Sequence, residues 1–150
     1  MWILLRFRDM GASKEQLLSL WQQKGRSVLE FASPVFFSRL TKEQSKSIED
    51  CQRKAFSIIL GADFKSYERA LESMEQERLS DRRVVAAIKF GEKCTLNPKH
   101  CDMFPRNPPG RDLRTPRVPF KEYFCRTDRL YTSSIPAITR LLNLKYKDNN

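Results

Sequence analysis

The chain has 150 residues, 40% of them apolar and 31% charged, enough for one domain with a core or a compact half plus an irregular tail. That balance argues against wholesale disorder. Its 28 basic side chains exceed 18 acidic ones by a formal +10. Such a surplus favours polyanionic partners and salt-sensitive binding, or else a solvated basic surface without a partner.

In chain order, Met1 to Met10 reads as the closing turns of a helix with Gly11 as its stop. Ser13 opens the next helix, with Gln16 three residues on as its capping-box partner. Leu17, Leu20, Trp21, Lys24 and Val28 follow at helical spacing, and Pro34 must end or bend the segment. Gly25 weakens its middle by about 1 kcal/mol relative to Ala, which a close neighbouring helix would explain, and so would plain sequence decay. Thr41 and Gln44 repeat the capping device. Ile48, Cys51, Ala55, Ile58 and Ile59 then share one face as far as the terminating Gly61. Ser66 or Asp63 can cap a shorter helix through Met74. Leu79-Ser80 starts a fourth that runs to about Leu96, with Val84, Val85, Ile88 and Phe90 as its apolar stripe.

Composition then changes. Seven of the eight prolines lie from Pro98 onward, and Asn97 to Val118 has no sustained periodicity, so it reads as an extended linker. From Asn97 the chain carries eleven basic against five acidic residues; before it, seventeen against thirteen. Phe120, Tyr123, Phe124 and Tyr131 interleave with Lys121, Arg126 and Arg129. Ile135 to Leu144 could form a last short helix with Pro136 in its first turn. The expected domains are therefore a helical part over 1–96 and a basic, Pro- and aromatic-containing extension over 97–150.

Catalytic and metal chemistry find little footing. Cys94, His100, Cys101 and Cys125 are soft ligands, but they lack a CxxC pair, and adjacent His100-Cys101 is an awkward bite for tetrahedral zinc. Without a secretion signal these cysteines, and Cys51, read as reduced thiols. His100 is the only histidine, there is no Gly-rich phosphate loop, and GADF at Gly61–Phe64 offers one carboxylate where two-metal transfer needs a pair. No catalytic residue, metal or cofactor is expected.

The basic residues carry the binding expectation. Lys24, Arg26, Arg53, Lys54, Arg82, Arg83, Lys89 and Lys93 recur along the helices, mostly off the apolar stripes, where they could meet phosphates without reading sequence. Solvated faces balanced by nearby acids would give the same pattern. In the extension, Arg126 and Arg129 among aromatics suit single-strand stacking with phosphate contact, or aromatics that simply anchor the tail.

Several stretches also resemble the region after the polymerase palm in reverse transcriptases of non-LTR retrotransposons, jockey-like and related elements. They are RSVLEFASPVFFSRLTKEQ at Arg26–Gln44, QRKAFSIILG at Gln52–Gly61, SYERALESM at Ser66–Met74, KCTLNPKH at Lys93–His100 and FCRTDRLYTSSIPAITRLLN at Phe124–Asn143. The likeness runs from about Leu4 to Asn143. It implies a helical thumb and the start of a C-terminal region, within an enzyme that copies element RNA into DNA. The palm with its catalytic aspartates is not in this sequence, so the resemblance implies a non-catalytic fragment, either a truncated copy or a domesticated one. Phe36 stands where Trp is common in such sequences.

The expected fold is all-α: a bundle of four to five helices, then an extended, Pro-rich basic tail with a possible short last helix. Trp21, Val28, Ile48, Ala55 and Ile59 should form the central helix–helix contact. The expected partner is nucleic acid, RNA/DNA duplex or single strand without base specificity, and the missing palm is another. No membrane partner is expected, since no apolar run approaches the roughly 20 residues of a span. The opening MWILLR is too short for a secretory core, so an intracellular place, cytoplasmic or nuclear, is expected. A helical protein-interaction module and a non-functional relic of a transposable element are the alternatives.

Overall fold

A computed structural model describes residues 1–108 and 118–148. The described residues are all-α. In chain order the helices are α1 (Trp2–Asp9), α2 (Lys14–Leu20), α3 (Ser27–Glu30), α4 (Ser33–Phe36), α5 (Lys42–Leu60), α6 (Tyr67–Ser73), α7 (Leu79–Leu96), α8 (Asp128–Tyr131) and α9 (Ser134–Asp148). The described residues form two compact units, one of residues 1–32 and 40–83, the other of 33–39 and those from 84 onward. Their boundary falls inside α7, and so differs from the composition change at Asn97.

Local signals place the first unit's helices. Ser13 and Thr41 each close a capping box, accepting from the backbone N–H of Gln16 at 3.3 Å and Gln44 at 3.1 Å. Ser66 caps α6 through the N–H of Arg69. Gly11 and Gly61 end α1 and α5 with φ of +85° and +57°, values that L side chains rarely adopt. α1 and α2 both pack on α5, around Leu4, Leu17, Trp21, Phe56 and Ile59.

Between α2 and α3 the backbone widens into a π-helical turn over Trp21–Arg26. Gly25 sits there because the Trp21 indole lies across it: a Cβ at Gly25 would stand 2.2 Å from the ring carbon Cε3. The close neighbour is thus a side chain of the same helix rather than a second helix. A π turn inserts one residue, which rotates everything after it. Val28, expected in the central contact, is 73% exposed, and Leu29 packs against the core instead. The helix ends at Phe31, and Ala32 has φ +53°.

The inward face of α5 is the expected one at Ala55, Ile58 and Ile59, with one exception. Cys51 is exposed, while Gln52 is buried and spends its amide on the Tyr67 hydroxyl at 3.1 Å and the Glu77 carbonyl at 3.0 Å. Glu49 accepts from the Tyr67 hydroxyl and from the backbone N–H of Ser80, both at 2.6 Å, so one carboxylate ties α5 to α6 and to the start of α7. Burial, and then the hydrogen bond to Glu49, hold the Tyr67 phenol well above the ordinary tyrosine range.

In the second unit, α7 does not bury the expected stripe. Val84, Val85 and Phe90 are exposed, and Ile88 is half-buried. The buried positions are the small ones, Ala87, Gly91 and Cys94. A Cβ at Gly91 would meet Ile138 Cγ2 at 2.6 Å, so the small face is what admits the large side chains of α9. Around this seam Phe104, Phe120, Ile138 and Leu142 complete a second core.

The linker is pinned at both described ends. Asn107 donates its N–H to the Pro119 carbonyl at 2.9 Å, and Lys121 donates to Pro105 at 2.8 Å. Asn143 on α9 holds Phe120 by both backbone groups, accepting from its N–H and donating to its carbonyl, each at 3.0 Å. The expected extended run over residues 109–117 lies outside the described residues. The last helix is longer than expected, fifteen residues from Ser134, and a short α8 precedes it under a Thr127 cap.

Candidate nucleic-acid interface

The ten candidate cations divide by what they already touch. In the first unit Arg82 forks onto the Glu30 carboxylate and lies 3.7 Å from Glu77. Arg26 donates to Gln76 at 2.9 Å and lies 3.9 Å from Glu30. This half-buried cluster joins α3 to α7. The Glu30 bonds push the Arg82 guanidinium up from its ordinary value, while burial and the neighbouring Arg82 charge pull Arg26 down. Arg83 is buried, with Nη2 donating to Ser45 Oγ at 2.9 Å. Arg83 is thus turned inward, while Arg26 and Arg82 are half-buried and engaged by acidic and amide groups of the same unit. The sequence could not separate them, because they sit among exposed lysines at similar spacing.

Arg53 is exposed, pairs with Asp50 at 2.6 Å and lies over the Tyr67 ring at 5.2 Å. Lys24 and Lys54 are exposed and have no ion pair among the described residues. In the second unit the same holds for Lys89 and Lys93 on α7, and for Arg126 and Arg129 around α8. Six of the ten therefore face solvent with no ion pair among the described residues.

The tail aromatics resolve one by one. Phe120 is buried, and the Tyr123 hydroxyl donates to the Met103 carbonyl at 2.5 Å. The Tyr131 ring is covered by the Arg140 guanidinium, 3.8 Å from its centroid. Phe124 alone stands clear, 86% exposed, two residues from Arg126. Three of the four thus have intramolecular contacts, and one keeps a free π face.

Lys65 and Arg69, both exposed, carry no binding expectation from the sequence pattern. With Lys14 they border a groove of about 710 Å³ in the first unit, floored by Leu18, Leu60 and Met74. Lys14 is held there by Asp63 at 2.6 Å, which raises the lysine and lowers the carboxyl from their ordinary values. Their signal was weak because Lys65 lies just before the short helix α6 and Arg69 lies within it between Glu68 and Glu72, whose charges offset theirs.

Among the described residues no three His, Cys, Asp or Glu side chains gather where they could hold a metal ion. Cys94 is buried, which pushes its thiol up, whereas Cys101 and Cys125 bond to local backbone carbonyls. No described helix is long and apolar enough to cross a membrane. Comparison with protein-family models, curated proteins and solved structures gives no match for this chain.

Proposed function

We propose that the chain is a non-catalytic, thumb-like segment of a non-LTR retrotransposon reverse transcriptase, which grips an RNA–DNA primer–template by its phosphates without reading bases. The observation that carries this reading is the set of six exposed cations, unpaired among the described residues, on a helical scaffold in a chain with a net charge of +10. Mobile lysines and arginines of this kind replace condensed counterions on a nucleic acid and position it through the backbone. The stretches Arg26–Gln44, Gln52–Gly61 and Phe124–Asn143 supply the family half of the proposal. Phe124 beside Arg126 adds a place where an unpaired base could stack.

The test is a salt titration of binding to an RNA–DNA hybrid. If about four phosphates are neutralised, affinity should fall about 10²-fold between roughly 50 and 200 mM salt. An affinity that does not change over that range rules out the electrostatic grip.

A second reading has its own observation. On α1, Trp2, Ile3 and Phe7 are exposed, Trp2 at 67%, as is Met10 at its C-terminal end, and only Leu4 is buried. An apolar face of this kind suits a helical interaction module. Replacing Trp2 and Phe7 by Ser should then abolish self-association or partner binding and leave hybrid binding intact; loss of hybrid binding would favour the first reading.

A further inference from the structure

Arg83 is the one buried cation of the first unit whose needs are not met. It is 4% exposed, and among the described residues its Nη1 is buried with no hydrogen-bond partner and its Nη2 donates only to Ser45 Oγ, at 2.9 Å. No carboxylate forms an ion pair with it among the described residues. A guanidinium withdrawn from water without a counter-ion is strongly unfavourable. The one neutral oxygen it meets belongs to a hydroxyl that can itself carry an anion.

Ser45 is placed for that. It is partly exposed and lies four residues past the Thr41 cap of the nineteen-residue helix α5, where the helix dipole favours negative charge. Lys42, three residues before it, and Lys46 beside it are exposed and unpaired among the described residues. The opposing groups are Glu43 and Glu49 on the same helix, and Glu49 is already engaged by Tyr67 and Ser80. Asp81 on α7 is exposed and next to Ser80, whose hydroxyl donates to it at 3.2 Å.

We infer that Ser45 is a phosphorylation site whose phosphate is received by the buried guanidinium of Arg83. Phosphoryl transfer from ATP by a protein kinase forms the Ser45 Oγ–Pγ bond and breaks the bond from Pγ to the β,γ-bridging oxygen. ADP departs, and the hydroxyl proton passes to the kinase's base. The new oxygens lie within reach of both Nη1 and Nη2, so the guanidinium gains the paired acceptors that a single hydroxyl cannot offer.

The experiment uses the full chain with phosphoserine installed at position 45 during translation, followed by ³¹P NMR against pH in the folded and the urea-unfolded protein. The second ionisation of the phosphate, ordinarily near pH 6, should occur about one unit lower in the folded chain. Arg83→Gln should erase that difference. An equal or higher titration point in the folded chain overturns the inference, and that comparison needs no variant to fold. A lowered point that persists in a folded Arg83→Gln protein also overturns it, because Lys42, Lys46 and the helix terminus would then suffice. No nucleic acid enters the measurement, so the outcome is independent of the gripping function.

Discussion

Asn143 does for Phe120 what a neighbouring strand would do. One buried amide meets both the N–H and the C=O of a single residue, and Phe120 thereby seats the incoming chain in the second core. Asn143→Ala leaves both groups buried and unpaired, so urea denaturation should show a loss of about 2–4 kcal/mol. Tyr67 makes a prediction in pH. Its phenol is raised above the ordinary value, so above about pH 10 the folded chain keeps a proton that the unfolded chain releases. Its contribution is fully present below that pH and declines as pH rises further. Tyr67→Phe should flatten the alkaline fall in stability, and a urea-midpoint series from pH 8 to about 11 reads it directly.

At the level of elements, the helix ends were legible because caps are local chemistry. Ser13 with Gln16, Thr41 with Gln44, Ser66, and the two stopping glycines each act within one turn of themselves. The inward faces were less legible, for two different physical reasons. A π turn leaves no mark in composition, yet it advances the phase by one residue and exchanges Val28 for Leu29. In α7 the packing partner is bulky, so the buried face is Ala87, Gly91 and Cys94, which a hydrophobicity pattern ranks below the exposed valines. Of the candidate site, the exposed lysines were legible, but the inward turn of Arg83 depends on Ser45, which lies 38 residues away. These shifts are testable in pairs. Leu29→Ala should cost about 1–2 kcal/mol and Val28→Ala less than about 0.5. Ala87→Leu should destabilise by about 1–3 kcal/mol while Val85→Thr remains nearly neutral. Chemical denaturation of the four variants decides both pairs.

For the molecule as a whole, the charge surplus lies mainly in the second unit, and the free cations are separable from the structural ones by experiment. Lys24→Glu with Lys54→Glu, or Lys89→Glu with Lys93→Glu, should each weaken RNA–DNA hybrid binding about tenfold at low salt and lower the salt slope by about 2. Arg82→Ala should instead reduce stability by about 1–2 kcal/mol through the lost Glu30 fork, with the slope unchanged. Filter binding and denaturation on the same preparations distinguish the two classes of arginine and lysine.

Both tryptophans fall in the first unit, Trp2 in solvent and Trp21 sealed under the core at 4% exposure. Intrinsic emission excited at the red edge of the protein band is therefore blind to the residues from Val84 onward. A melting curve recorded that way tracks one unit alone, and any lag between it and far-ultraviolet dichroism times the loss of the other.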